Sequence, residues 1–159
     1  MKELYIIRHA KAQEQSRSGN DFDRELKKSG QRDAQRMGKL LASRLVHPDV
    51  IVSSAAPRAL ETARLITEQL MQETKLSVRD DLYLASPEVL IEVIRHFNRS
   101  IQCAFIVAHN PGVTYLVNEL CDEGMSGMPT CGVAMLKVKS ENWKAISKGC
   151  AELSDLMLP

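Results

Sequence analysis

The chain has 159 residues, 44% of them hydrophobic, which is enough for one globular domain with its own core. Its formal net charge of +1 is spread along the chain and argues against a nucleic-acid partner, which would need a concentrated basic surface. Only four apolar residues follow the charged start, too few for a signal peptide or a membrane span. We therefore expect a single cytoplasmic domain over residues 1–159 with no membrane partner.

An apolar run near the N-terminus, residues 4–7, leads directly into Arg8 and His9. Such a run predicts a buried strand of an α/β sheet, and ligands of these sheets bind beyond the carboxyl ends of the strands. Arginine beside histidine suits phosphate chemistry, because the guanidinium fork binds phosphoryl oxygens and its charge keeps the imidazole neutral and nucleophilic. The alternative is a strand that happens to end in two polar residues.

The same pattern recurs at two further strands. Residues 104–108 form a second apolar run that ends at His109, and residues 50–52 lead through two serines and a proline into a helix with Arg58 in its first turn. Parallel strands bring their carboxyl ends to one edge of a sheet, so these side chains can converge with Arg8 and His9 on a single anion. The alternative for Arg58 is a surface arginine that pairs with Glu61 or Glu68.

Four helices are predicted from apolar residues at helical spacing. The first spans residues 30–45 and has a basic outer face, typical of a solvated surface, with docking of an acidic protein as the alternative. Pro57, Pro87 and Pro111 open the other three, and Gly124 ends the last. The inward residues of the first helix are Ala34, Met37, Leu41 and Leu45, and those of the third are Val89, Leu90, Val93, Ile94 and Phe97.

The C-terminal third predicts an antiparallel edge to the sheet. Residues 133–138 and 143–146 both alternate between apolar and polar side chains, with a turn at residues 140–142. This pattern predicts a hairpin. Residues 150–159 are expected to form a loosely packed tail.

Three segments resemble the signatures of the histidine phosphatase superfamily: Arg8-His9-Ala10, residues 54–63, and Ala108-His109-Asn110. The short length and the approach to the first helix at residues 23–30 are most similar to the SixA-type phosphohistidine phosphatases. The resemblance covers residues 1–138. It implies a three-layer α/β/α sandwich with a mixed, mainly parallel sheet, like that of phosphoglycerate mutase, without a large cap insertion.

The resemblance also implies a catalytic set. His9 is expected to attack phosphorus and become phosphohistidine, while Arg8, Arg58 and His109 hold the phosphoryl oxygens and Asn110 adds to substrate binding. No metal or other cofactor is expected, because cationic side chains already neutralise the phosphoryl group.

Three positions depart from the pattern of the superfamily, and one of them is Ala55, which stands where many members have a proline after the serine. Ala10 stands where glycine is usual, and we expect the turn to survive if the alanine φ is negative. Leu84 stands where many members carry a glutamate that acts as general acid. The acid is therefore unassigned, and Asp21, Asp23 and Glu14 in the loop after His9 are the candidates.

Two other phosphatase classes fit the sequence poorly. The four cysteines form no C-x-x-C pair, and none is followed six residues later by the arginine of a cysteine-dependent phosphatase, so they are expected to be reduced, partly buried thiols. The segment Asp21-Phe22-Asp23 could suggest an aspartate-nucleophile phosphatase, but it follows a polar stretch instead of a buried strand. A loop bordering the site is the favoured interpretation.

The expected function is hydrolysis of phosphohistidine on a protein, either a histidine phosphotransfer domain of signal transduction or a phosphocarrier, with release of phosphate. We expect the enzyme to be a monomer. The alternatives are a small-molecule phosphomonoesterase or mutase of the same superfamily, or a non-catalytic module that binds phosphate or phosphohistidine.

Overall fold

One six-stranded sheet runs through the protein in the computed structural model, which describes residues 1–159. Its spatial order is β3-β2-β4-β1-β5-β6, and β5 alone runs against the other strands. The strands are β1 (Lys2–Arg8), β2 (Val50–Ser54), β3 (Lys75–Arg79), β4 (Cys103–Ala108), β5 (Val133–Val138) and β6 (Ala151–Met157).

Helices cover both faces of this sheet and confirm the predicted three-layer α/β/α sandwich. They are α1 (Lys28–Ser43), α2 (Pro57–Gln69), α3 (Pro87–Arg95) and α4 (Gly112–Cys121). The first two share one hydrophobic core and the last two share the other. Only β3, a short 3-10 turn at Asp80–Leu82 and α3 lie between α2 and β4, so the predicted absence of a large insertion is also confirmed. None of the helices has the length and apolar character needed to cross a bilayer.

The central strands are buried on both sides, which explains their continuous apolar runs. In β1, Leu4 and Ile6 pack into the core under α3 and α4, whereas Tyr5 and Ile7 pack into the core under α1 and α2. This strand therefore needs apolar residues at both even-numbered and odd-numbered positions.

The register brings three strand ends together. Arg8 in β1 lies opposite Ala108 in β4, and Ser53 in β2 lies opposite Val107. The residues that follow β1, β2 and β4 therefore meet at one edge of the sheet, as the apolar runs predict.

Two helix ends differ from the prediction. Helix α1 ends at Ser43, and Leu45 lies beyond it with a φ of 57° and is 74% exposed, because Val46 takes the buried position instead. Helix α4 ends at Cys121, three residues before the predicted end at Gly124, and Asp122 follows it in the left-handed conformation. Aspartate tolerates this conformation through its short polar side chain. In α3, Val89 lies at the surface instead of in the core.

The predicted hairpin and tail are wrong. Trp143–Ala145 form a short 3-10 turn, and the predicted tail contains β6, which pairs with β5. Trp143 is buried and its indole nitrogen donates to the Ile101 carbonyl at 2.9 Å, so packing under the sheet produced the apparent alternation. In β6, the pairing skips Ser154, which disrupts the period-two pattern expected of a half-buried strand.

Candidate active site

The converging strand ends form one cavity of about 390 Å³. Arg8 is the last residue of β1 and His9 follows it, His109 follows β4, and Arg58 lies in the first turn of α2. The structure thus brings together all the predicted site residues. The cavity is lined by Arg8, His9, Lys11, Ala12, Asp21, Arg24, Lys27, Arg58, Leu84, His109, Asn110 and Thr130.

His9 is held as a neutral imidazole with a defined tautomer. Its Nδ1 lies 2.7 Å from the Ala10 carbonyl oxygen, which can only accept, so Nδ1 carries the proton and Nε2 has a free lone pair. Burial lowers the pKa of His9 to about 4, and the charges of Arg58 and Arg8 also lower it, whereas the hydrogen bond to Ala10 raises it. Burial, more than the neighbouring Arg8, therefore keeps this ring neutral.

His109 forms the opposite wall, and its ring centroid lies 5.2 Å from that of His9. Its Nε2 lies 2.8 Å from the Ser54 hydroxyl, and its ring packs edge-on against Tyr83. Burial lowers the pKa of His109 to about 3, with smaller contributions from His9 and Arg58. Ser54 thus orients the second histidine, a role that its place in the sequence signature does not reveal.

Arg58 is almost fully buried and does not pair with a glutamate of its own helix. Its Nη1 donates to the main-chain carbonyl of Asp21 at 2.7 Å, and its Nη2 donates to the Asp21 carboxylate at 3.0 Å. Glu61 instead accepts a hydrogen bond from Gln31. The surface-arginine alternative is therefore wrong.

Arg8 and Asn110 share one partner across the cavity wall. Arg8 Nη1 donates to the Met128 carbonyl at 3.0 Å, and Asn110 Nδ2 donates to the same oxygen at 2.9 Å. The Thr114 hydroxyl donates to Asn110 Oδ1, so this carboxamide is bonded to protein at both ends. Asn110 lines the cavity and also fixes the loop before β5.

Three buried nitrogens of this site have no hydrogen-bond partner: Arg8 Nε, Arg58 Nε and His109 Nδ1. They are the only buried side-chain nitrogen or oxygen atoms in residues 1–159 without one. Because buried polar groups are normally paired, three such atoms in one cavity are typical of a site that binds an anion.

Of the three acid candidates, only Asp21 lies at the cavity. The Tyr83 hydroxyl donates to its carboxylate, as do the guanidinium groups of Arg58 and Arg24, and together they lower the pKa of Asp21 to about 2 against the opposing effect of burial. Asp21 is therefore ionised and is not a proton donor at neutral pH. Asp23 and Glu14 lie outside the cavity lining.

Leu84, at the position of the expected acid, does line the cavity. It is 55% exposed and has a φ of 49°, a conformation that is rare for leucine. The departure at Ala10 is tolerated as expected, because Ala10 is not among the residues with positive φ.

Several residues around the cavity were not identified from the sequence. Lys11, Arg24 and Lys27 line it, and Thr62 ties its wall together by accepting from the Ala10 amide at 3.0 Å and donating to the Arg58 carbonyl at 2.7 Å. The position of Lys11, two residues after His9, was the available signal. No group of three or more His, Cys, Asp or Glu side chains is arranged to hold a metal ion.

Comparisons with known proteins agree with this geometry. The profile of the histidine phosphatase superfamily (branch 1) matches residues 4–83, half of the chain. An uncharacterized protein of Mycobacterium tuberculosis is 29% identical over 151 residues, covering 87% of this chain and 91% of that protein. Phosphoglycerate mutase 1 of Saccharomyces cerevisiae is 34% identical over 71 residues, covering 43% of this chain and 29% of that protein.

Solved structures extend the likeness over the whole chain. A protein of Agrobacterium tumefaciens assigned as the phosphohistidine phosphatase SixA superimposes with a TM-score of 0.86 at 27% identity, covering 99% of this chain and 98% of that one. The protein histidine phosphatase SixA complexed with tungstate has the same fold, with a TM-score of 0.84 at 21% identity and coverage of 99% and 97%. This protein is a member of the histidine phosphatase superfamily and is SixA-like in its structure.

Proposed function

We propose that the protein hydrolyses phosphohistidine on a protein substrate through a phosphohistidine intermediate on His9. Membership of the superfamily and the likeness to the A. tumefaciens protein support a phosphatase. The observation that carries the proposal is the neutral His9 ring, with Nδ1 donating to Ala10 and Nε2 free, beside three buried nitrogens without partners.

In the first step, His9 Nε2 attacks phosphorus as the bond from phosphorus to the leaving group breaks. Arg8, Arg58 and His109 bind the equatorial oxygens and stabilise their charge in the transition state. Phosphorylation at Nε2 makes the His9 ring electron-poor, and the Ala10 carbonyl stabilises the proton that remains on Nδ1.

In the second step, water attacks the phosphorus of phosphorylated His9 as the bond to Nε2 breaks. The Nδ1 proton stays on His9, so the ring leaves phosphorus as the same neutral tautomer from which it started. The proton lost by the water passes to the phosphate, which departs.

The leaving group follows from the residue at position 84. An alkoxide needs a proton from a general acid, yet Leu84 cannot supply one and Asp21 is ionised. A phosphorylated imidazole can instead accept a proton on its free ring nitrogen and depart as a neutral molecule. A site without a dedicated acid therefore suits phosphohistidine.

Access to the cavity supports a substrate carried by a protein. The segment between α2 and β4 contains only β3, the 3-10 turn at Asp80–Leu82 and α3, so no inserted domain covers the strand ends. A phosphohistidine on a folded surface could reach His9 without the movement of a cap.

The test is a comparison of leaving groups. We expect purified protein to release phosphate from a phosphohistidine-bearing phosphotransfer domain and from aryl phosphates with acidic phenols at least about 10²-fold faster than from phosphoserine or glycerol phosphate. Equal rates for glycerol phosphate would indicate the small-molecule phosphomonoesterase instead. Tight binding of phosphate with no turnover of any substrate would indicate a binding module.

A further inference from the structure

The cavity is far more basic than the protein as a whole. The chain carries 21 basic and 20 acidic side chains, yet the cavity lining contains five cationic residues and a single acid, Asp21. Arg8, Arg24 and Arg58 carry three positive charges, and Asp21, which is bonded to both Arg24 and Arg58, offsets one of them, so the remaining two suffice to balance a phosphoryl dianion. Lys11 and Lys27 therefore add positive charge that a single phosphoryl group does not require.

These two lysines are held directly opposite each other. Ala12 and Leu26 form an isolated antiparallel bridge, and the Lys27 amide donates to the Lys11 carbonyl at 2.9 Å. This register pairs Lys11 with Lys27, whose Cβ atoms are then roughly 5 Å apart on the same side of the pair. The first turn of α1 fixes the arrangement, because a side chain at Gly30 would clash with the Lys11 carbonyl.

No acidic group compensates this pair. Neither ammonium group forms an ion pair or a side-chain hydrogen bond anywhere in residues 1–159, although the chain has acidic residues close by, such as Glu25. Like charges directly opposite in an antiparallel pair are destabilising. Two uncompensated lysines facing one cavity are therefore arranged to bind an anion.

We infer that Lys11 and Lys27, called the lysine pair below, form a second anion-binding subsite, which binds a carboxylate next to the phosphohistidine on the protein substrate. This inference rests on the proposed function and adds a substrate preference: an acidic side chain beside the phosphorylated residue. The same two ammonium groups could instead bind the second phosphate of a small molecule. The experiment distinguishes this ligand from the carboxylate of a protein substrate.

The first arm measures binding by calorimetry, with inorganic phosphate and methylenediphosphonate as probes. The wild-type protein should bind methylenediphosphonate about tenfold more tightly than phosphate, and Lys11→Met/Lys27→Met should lose most of this preference. Lys28→Met is the matched control, because Lys28 is exposed and lies outside the cavity lining. Methylenediphosphonate carries more negative charge than phosphate, so a general loss of positive charge also lowers the ratio of the two affinities, and Lys28→Met measures this general part.

The second arm measures kcat/KM for two phosphohistidine peptides, one with aspartates beside the phosphohistidine and one with alanines. The acidic peptide should be preferred about tenfold by the wild type and by Lys28→Met, and not by the double variant. If the wild type prefers methylenediphosphonate but does not prefer the acidic peptide, the lysine pair does not bind a carboxylate of a protein substrate. This result would favour a small molecule with two phosphates as the ligand.

The lysine pair is excluded as a subsite if the double variant and Lys28→Met show the same ratios in both arms. A different result would contradict the proposed function alone. If neither peptide is hydrolysed while the preference for methylenediphosphonate still depends on the lysine pair, the subsite stands and the phosphohistidine phosphatase does not.

Discussion

The floor and the rim of the cavity are built in different ways. The floor, defined as Arg8, His9, Arg58 and His109, comes from strand ends and the first turn of a helix, and three of these four residues are buried. The rim, defined as Asp21, Arg24, Tyr83 and Leu84, comes from loops and short turns, and its side chains are half-buried or exposed.

The pairing of polar groups shows the same contrast. Floor residues supply all three buried nitrogens without partners, and both floor histidines have lowered pKa values. In the rim, Arg24 and Tyr83 both donate to Asp21. The floor therefore keeps unpaired hydrogen-bond donors for a ligand, whereas the polar side chains of the rim are bonded to one another. Changes in the floor should affect the chemical step, and changes in the rim should affect which substrates react.

The largest expected effect is at His9, the proposed nucleophile. We expect His9→Ala to lower kcat for an aryl phosphate by at least about 10³-fold, because the covalent step is lost. Unchanged circular dichroism would show that the fold survives. His96→Ala, at an exposed histidine that follows α3, is the control and should keep full activity. Comparable rates for the two variants would remove His9 from the mechanism.

A charge-conserving change at Arg58 should have the next largest effect. Lysine keeps the charge but loses the planar fork, so Arg58→Lys should lower kcat/KM by about 10²-fold and weaken tungstate binding. Arg64→Lys on the exposed face of the same helix is the matched control and should behave as wild type. If Arg58→Lys retains wild-type kcat/KM, Arg58 contributes only a point charge or nothing.

A smaller effect is expected when the rim is given an acid. Leu84→Glu should raise kcat/KM for glycerol phosphate by about tenfold, below the roughly 10²–10⁴-fold of a well-positioned acid, because this side chain lies on an exposed turn. Leu84→Gln has the same length and backbone strain without the proton, so it should give no gain. Equal gains in the two variants would show that polarity, not proton donation, limits the rate.

The smallest expected effect concerns stability in acid. The pKa of His9 is about 4 in the folded protein, below its ordinary value of 6.5, so the unfolded chain binds this proton first as the pH falls. The free energy of unfolding should therefore decrease between pH 6.5 and about 4, by at most about 1.4 kcal/mol per pH unit for this group.

Urea titrations across this pH range provide the measurement. His9→Asn should make the decrease shallower, and His47→Asn, at an exposed loop histidine, should leave the slope unchanged. If His9→Asn has the wild-type slope, burial of His9 does not contribute to acid sensitivity. His109 has a lowered pKa for the same reason, so part of the slope should remain in either variant.

The floor could be predicted from the sequence because it lies at strand ends. The apolar runs before Arg8 and His109 and the proline before Arg58 fix local structure, and parallel pairing then brings the ends together. The rim could not be predicted in the same way. The bond from Tyr83 to Asp21 joins residues that are 62 positions apart in the chain, and no local pattern records such a contact.

The same reasoning explains the errors at the far edge of the sheet. Trp143 is buried under the sheet between polar neighbours, and the sequence around it therefore shows the alternation expected of a strand. In β6 the skipped Ser154 shifts the alternation, so a true strand lacks the expected pattern. Continuous apolar runs predicted the buried parallel strands, whereas alternation failed at the edge of the sheet, where tertiary packing or a bulge altered the period.

The most direct test of the account is to trap the phosphoenzyme. The protein would be mixed with a radiolabelled phosphohistidine domain, quenched in alkali, where phosphohistidine is stable, and digested for mass mapping. We predict acid-labile, base-stable label on His9 in the wild type and no label on the enzyme in His9→Ala. Label on His109 or on another residue, or label that persists in His9→Ala, would contradict the assignment of His9 as the nucleophile.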